Sequence, residues 1–388
     1  MISTSDSIES LPIRALFVVP AFYRNGAVSL CVNLAEKLGT RNGIAVEVLA
    51  TRKLKVQSRL PKVPIECTIV RKRSKLVRLL ALCIQLIKSA MKADVVILTW
   101  ENGLVLPTLA ALILRKPTLA IVQNNIPRAA KDYPQRRGAR TFRRWAYRRA
   151  QAVVCTSKAL TRLLKKEANS ANINQAKITA ISNGIDVANV IALAKEKTIA
   201  TSSLTFLSDD APFVVGIGRL STQKGFDILI RAHSEVRKQG FYHRLVLIGE
   251  GDDLAELTAI AQRLDVADSV IFVGYLENPY PVLGQAALFC SSSRYEGYGL
   301  AVAEAAALGV PTIATNCVAG PGEILANGAY GDLVETESVM ALSAAISNHF
   351  KNPQRLQAKA RASARDAERL SLEACAQEYS DLIRRCVS

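Results

Sequence analysis

The sequence predicts an α/β protein built from two doubly wound halves that face a central cleft. Three observations predict it. With 388 residues the chain is too long for one ordinary domain. Near-continuous apolar runs of strand length alternate with helix patterns, as expected of parallel sheets covered on both faces. The alternation occurs twice, on either side of a polar stretch, TSSLTFLSDDAP (Thr201–Pro212), that reads as a linker.

The first series opens with the strand IRALFVVPAF (Ile13–Phe22), a turn at Asn25-Gly26 and a helix over Ala27–Leu38. The strands IAVEVLA (Ile44–Ala50), ADVVILTW (Ala93–Trp100), PTLAIVQ (Pro117–Gln123), AVVCTS (Ala152–Ser157) and KITAISNGID (Lys177–Asp186) follow. The second series has FVVGIG (Phe213–Gly218), RLVLIGE (Arg244–Glu250), SVIFVGY (Ser269–Tyr275), ALFCSS (Ala287–Ser292) and PTIAT (Pro311–Thr315). A last helix pattern, from about Arg361 to Arg385, has no strand after it. The expected domains are therefore 1–200 and 201–365, with a C-terminal helix, 366–388, packing back on the first. Ligands of such sheets lie beyond the carboxyl ends of the strands, so the cleft between the halves is the expected site.

Composition narrows the class further. No apolar run approaches the roughly 20 residues that span a bilayer; GLVLPTLAALIL (Gly103–Leu114) is short and holds a proline. The N-terminal MISTSDSIES is polar and slightly acidic, unlike a signal peptide, which leads to the expectation of a cytoplasmic protein. The 8 cysteines form no C-x-x-C pair and read as reduced core residues, with metal binding the alternative. The net charge of +17 is uneven. Residues 1–200 hold 34 Lys and Arg against 11 Asp and Glu, while the remainder, with 16 against 22, is net acidic. One half is therefore expected to meet something anionic.

Two stretches carry chemistry. In GIGRLSTQKGFDILIRA (Gly216–Ala232), Arg219 directly follows a strand and Lys224 precedes Gly225 at the opening of a helix. Fixed cations beside unpaired helix N–H groups outline a diphosphate site; a solvated loop is the plain alternative. In SRYEGYGLAVAEAAALGVP (Ser293–Pro311), an apolar helix carries a lone carboxylate, Glu304, with no basic neighbour. Glu304 lies about 7.5 Å along that helix from Gly299 at 1.5 Å per residue, a span that suits a nucleoside with phosphates at the helix start. It could then accept hydrogen bonds from ribose hydroxyls; a structural glutamate capped by backbone amides is the alternative.

The E-x7-E spacing of Glu296 and Glu304 with EGYGL inside it, GR-x4-KG at Arg219 and Lys224, IGEG at Ile248–Gly251 and ISNGID at Ile181–Asp186 together resemble glycosyltransferase family 4. The resemblance is weak before residue 180 and strong over 213–325. It implies a GT-B fold of two Rossmann-like domains and a retaining, metal-independent transfer from a nucleotide-sugar, UDP-linked or GDP-linked. It further implies Gly218, Arg219 and Lys224 at the donor diphosphate, Glu304 at the ribose, and Glu296 with Gly297, Tyr298, Gly299 and Leu300 at the transferred sugar and its phosphates. Gly249 and Glu250 would lie near the base, Gly26 near the phosphates from the other domain, and Glu323 of AGPGEIL (Ala319–Leu325) near the donor. Glu296, Arg219 and Lys224 are the expected catalytic group, and no D-x-D metal motif or other cofactor is implied. Retention is explained in this family by front-face attack, with a covalent Glu296 intermediate as the alternative. Many relatives have a histidine after the fourth strand; here Gln123, Asn124 and Asn125 stand in the acceptor region, and an amide is no general base. His233, His243 and His349 lie away from these motifs and read as structural.

Two segments hold much of the basic charge. RKRSKLVRLLALCIQLIKSAMK (Arg71–Lys92) sets Leu76, Leu79, Leu80, Cys83, Ile84 and Ile87 at helical spacing, facing either the core or a membrane. QRRGARTFRRWAYRR (Gln135–Arg149) interleaves arginines with aromatics, and Arg136, Arg137, Arg140, Arg143, Arg144 and Trp145 are the expected contacts to an anionic membrane surface. No helix-turn-helix, RNP or zinc signature supports nucleic acid as the partner. The expected function is transfer to a lipid-linked or polysaccharide acceptor by a peripheral protein at the inner face of the cell membrane. A nucleotide-sugar epimerase and a non-catalytic nucleotide-sugar or membrane-binding subunit are the rivals.

Overall fold

The structure is a computed structural model, and it describes residues 11–19, 26–41, 43–50, 66–69, 75–99, 105–123, 138–196 and 211–388. The first sheet contains β1 (Ile13–Val19), β2 (Ile44–Ala50), β3 (Glu66–Ile69), β4 (Val95–Leu98), β5 (Thr118–Val122), β6 (Ala152–Cys155) and β7 (Ile178–Ala180). Its order is β3-β2-β1-β4-β5-β6-β7, parallel throughout. The second contains β8 (Phe213–Ile217), β9 (Arg244–Ile248), β10 (Val270–Gly274), β11 (Leu288–Ser291), β12 (Thr312–Thr315) and β13 (Asp332–Val334), in the parallel order β10-β9-β8-β11-β12-β13. β3 and β13 are absent from the sequence reading, because each is short and lies at a sheet edge. Apolar clusters cover both faces of both sheets.

The chain crosses between the halves twice. Ile185 and Val190, before the linker, pack in the second core, whereas Leu372, Cys375, Ala376, Tyr379 and Ile383 of the last helix pack in the first. The crossings touch: Ile185 N–H donates to Leu370 O at 2.8 Å and Leu372 N–H to Ile185 O at 2.9 Å. Gly184 makes this possible, since a Cβ there would overlap the Ser371 carbonyl and the Leu372 backbone. The helix expected over Arg361–Arg385 is two helices, Pro353–Arg365 and Leu372–Val387. Ser371 starts the second, its side chain accepting the Ala374 N–H.

The histidines lie inside the second half. His233 Nδ1 faces His243 Nε2 at 2.8 Å, and His233 Nε2 faces Ser269 Oγ at 3.0 Å. His349 Nε2 lies 3.1 Å from Ala287 O. Cys31, Cys155, Cys290, Cys317 and Cys375 are buried thiols.

Candidate active site

The site grows from the place where strand order reverses in the second sheet. β8 and β11 are neighbours, and the chain leaves them in opposite directions. Such a switch point opens a crevice at the carboxyl ends. The loop after β8 carries Arg219 and Lys224, and the loop after β11 carries Glu296.

Arg294 clasps the two loops. Its guanidinium donates to both carboxylate oxygens of Asp227 at 2.8 Å each and to Thr222 O at 2.8 Å. Burial works against the Asp227 anion, but the Arg294 guanidinium wins and holds it below the usual carboxylate range. Gln223 Nε2 donates to Tyr295 O at 3.1 Å and Ser292 Oγ to Lys224 O at 2.9 Å. The clasp brings Lys224 Nζ within 2.6 Å of Glu296 Oε1, to which Ser293 Oγ also donates at 2.7 Å. Glu296 is buried and Lys224 half-buried, so a desolvated anion keeps a cation at the crevice floor.

Arg219 stands differently. It is exposed and makes no ion pair or side-chain hydrogen bond with the described residues, leaving its charge available at the rim. Gly218 and Gly249 lie beside it, where Gly218 N–H donates to Ile248 O at 3.0 Å and Gly249 N–H to Gly274 O at 2.8 Å. Gly249 has a φ of 142°, and a Cβ on it would overlap the Gly218 carbonyl, so two strand ends meet only through glycine. Glu250 is exposed, and its carbonyl accepts the Leu220 N–H at 2.9 Å.

Gly299, at φ 98°, caps the helix Leu300–Ala307 without a side-chain hydrogen bond of its own. The helix start therefore aims N–H groups at the crevice. Gly297 and Tyr298 are buried, and burial pushes the Tyr298 phenol up. One turn in, Glu304 has a neighbour that the sequence reading missed: the Tyr280 hydroxyl donates to Glu304 Oε1 at 3.1 Å. Burial pushes the Glu304 carboxyl up to about 7, against the pull of the Tyr280 hydroxyl and the Lys224 charge. Tyr280 lies on a short helix, Tyr280–Gln285, without a motif to mark it.

The first half closes on this loop. Thr156 Oγ1 donates to Gly297 O at 3.3 Å, and Leu300 packs against both cores. Glu323, expected near the donor, accepts the Lys158 and Ala159 N–H groups at 3.0 and 2.8 Å. It caps the first half's helix Lys158–Ala171, where helix-end N–H groups offer a carboxylate its best partners. Gln123, at the carboxyl end of β5, places Nε2 2.8 Å from Cys31 Sγ, and Gly26 begins the helix Gly26–Arg41. Asn124 and Asn125 lie outside the described residues, as do Arg136 and Arg137.

The basic segments divide. On the helix Lys75–Lys92, Leu79, Leu80, Ile84 and Ile87 are exposed by 47%, 56%, 55% and 40%, so this apolar stripe faces away from the core. Arg143 corrects the expected membrane contacts, because it is buried. The helix Ala139–Arg149 turns Arg143, Ala146, Tyr147 and the following Ala150 inward at helical spacing. Arg140 and Phe142 are exposed, whereas Arg144 and Trp145 are half-buried, and Trp145 packs on the first core.

Two doubly wound parallel domains meeting over a crevice lined by Arg219 and Lys224 define the GT-B class. Residues 24–189 match the family model Glycosyltransferase Family 4, and residues 203–367 match Glycosyl transferases group 1. The chain belongs to this family of glycosyltransferases. It is 34% identical over 116 residues to an uncharacterized glycosyltransferase of Methanocaldococcus jannaschii, covering 30% of this chain and 29% of that protein. It is 24% identical over 208 residues to the N-acetylgalactosamine-N,N'-diacetylbacillosaminyl-diphospho-undecaprenol 4-alpha-N-acetylgalactosaminyltransferase of Campylobacter jejuni, covering 52% of this chain and 54% of that one. The match thus spans about half or less of each curated relative. Anabaena HepE, solved in complex with UDP and glucose, superposes with a TM-score of 0.77 at 19% identity, covering 96% of this chain and all (100%) of that one.

Proposed function

We propose that the chain is a retaining, metal-independent transferase that moves a sugar from a nucleotide-sugar, UDP-linked or GDP-linked, to a lipid-linked or polysaccharide acceptor. The observation that carries this is the Lys224–Glu296 contact at 2.6 Å, with Arg219 free at the rim and the Gly299-capped helix beside it. A departing diphosphate gains negative charge as the sugar–phosphate bond breaks. Arg219, Lys224 and the helix N–H groups are preorganised to hold that charge without a metal. Glu296 holds Lys224 in place until the diphosphate arrives, then faces the sugar. The acceptor oxygen bonds the anomeric carbon on the face from which the diphosphate departs, which retains the configuration, and its proton passes to the departing phosphate oxygen, so no histidine base is needed near Gln123.

Glu304 is assigned to the ribose hydroxyls, with Gly249 and Glu250 near the base. The name of the Campylobacter jejuni relative, with its diphospho-undecaprenol acceptor, supports a lipid-linked acceptor here. The exposed stripe on Lys75–Lys92 and the excess of basic residues in the first half support peripheral contact with an anionic membrane at its inner face. Among the described residues no helix is long and apolar enough to cross a membrane.

A thermal-shift screen of nucleotide-sugars tests the assignment, because a ligand that binds the folded state stabilises it. A UDP-sugar or GDP-sugar is expected to raise the melting temperature of the wild type but not of Lys224→Ala. Equal shifts in both proteins would refute the diphosphate site.

A further inference from the structure

The opposite end of the first sheet carries a hollow remote from the crevice. At the amino ends of β4, β5 and β6, beside the end of the last helix, a cavity of about 600 Å³ is lined by Arg115, Lys116, Arg149, Asp94, Leu112 and Cys386, among others. Three cations face it with one carboxylate. That carboxylate is engaged, since Asp94 Oδ2 accepts the Arg14 N–H at 2.8 Å. Arg115, Lys116 and Arg149 make no ion pair or side-chain hydrogen bond with the described residues.

The backbone under Arg115 is also unusual. The helix Val105–Ile113 ends with Lys116 N–H donating to Ala111 O at 2.8 Å and Arg115 N–H to Leu112 O at 3.1 Å, with Arg115 at φ 54°. Glycine is the usual occupant of this left-handed closing position, and an L side chain there is strained. A cation sits where glycine would fit with less strain, and it sits on the rim of the cavity. Beside it, Leu109, Leu112 and Ile113 are exposed by 40%, 37% and 73%. The same helix packs against Lys75–Lys92, with its own exposed apolar stripe.

A free phosphate would use the cations but has no need of the apolar rim. We propose that the cavity seats the phosphate of an anionic phospholipid headgroup while Leu109, Leu112 and Ile113 enter the acyl boundary. The inference rests on the peripheral-membrane reading above, to which it gives a location and a ligand.

Sedimentation of the full chain with phosphatidylglycerol vesicles tests it. The assay contains neither donor nor acceptor, so its result stands whether or not the chain transfers sugar. Each cation removed is expected to weaken binding about fivefold, so Arg115→Gly with Arg149→Gln should weaken it about 25-fold. Arg115→Gly relaxes the backbone, and a melting temperature no lower than that of the wild type will exclude misfolding. Arg263→Gln with Arg361→Gln, on the second half, removes the same charge and is expected to leave binding within about twofold of wild type. Leu112→Ser with Ile113→Ser should also weaken vesicle binding. Wild-type binding by the cavity variant, or equal loss in the second-half control, would overturn the proposal. So would protection by soluble glycerol phosphate in a protein that ignores the vesicles.

Discussion

Lys224 Nζ and Glu296 Oε1 lie 2.6 Å apart although 72 residues separate them, and the contact joins the loops that leave two neighbouring strands at the switch point of the second sheet. An ion pair in this position does not earn its place through stability, because desolvating both partners offsets most of their attraction. On the proposed function, its use lies in holding a cation ready for a diphosphate.

Lys224→Ala should therefore lower kcat about 10²- to 10³-fold, the loss typical of removing one group that stabilises developing charge. It also strands the buried Glu296 carboxylate. Chemical denaturation should show about 1–3 kcal/mol of lost stability, and Lys224→Ala with Glu296→Gln should recover part of it.

Glu304 gives a pH signature. With its carboxyl near 7, it gains charge across neutrality, and a carboxylate accepts ribose hydroxyls better than a carboxylic acid does. Donor KM should fall as pH rises through about 7. Tyr280→Phe removes a hydrogen bond that lowers this pKa, so the transition should move to higher pH, and Glu304→Gln should abolish it. In each case kcat at saturating donor should change much less than KM.

The His233–His243 pair predicts acid lability. Burial holds both below their ordinary 6.5, at about 3 and about 4, with the neighbouring charges on His243 and Arg237 adding to the effect at His233. Below 6.5 the unfolded chain binds protons that the folded chain refuses. The stability contribution is thus complete above 6.5 and is lost as pH falls toward the folded values. Denaturation at pH 7 and pH 5 should differ by up to about 4 kcal/mol from this pair, and His243→Gln should flatten the slope.

Gly184→Ala should disrupt the crossing at Ser371 and Leu372, since the new methyl has no room. A loss of about 2 kcal/mol or more is expected, measured by thermal or chemical unfolding. Glu323→Ala removes the cap on Lys158–Ala171 and a tie between the halves, for about 1–2 kcal/mol, with Glu323→Gln losing less.

Strand positions were legible because parallel, doubly covered strands are apolar along their length, as in Phe213–Ile217 and Leu288–Ser291. The short edge strand Asp332–Val334 has no such run. Arg219, Lys224, Glu296 and Glu304 stood out as charges at fixed spacing around glycines. Tyr280 and the Arg294–Asp227 clasp did not, because their partners are distant in sequence and only folding joins them. Glu323 stands in a recognisable motif, but its cap crosses 164 to 165 residues and leaves no local mark. Arg143 misled for a simpler reason. Composition counts a basic residue without telling which helix face it occupies.

The most direct test of the transferase assignment is radiolabelled sugar transfer from nucleotide-sugars to membrane extract, run with wild type and Lys224→Ala side by side. Label should enter a lipid-linked or glycan fraction with the wild type and fall about 10²-fold or more with the variant. Undiminished transfer by Lys224→Ala, or no transfer by the wild type with any donor, would contradict it.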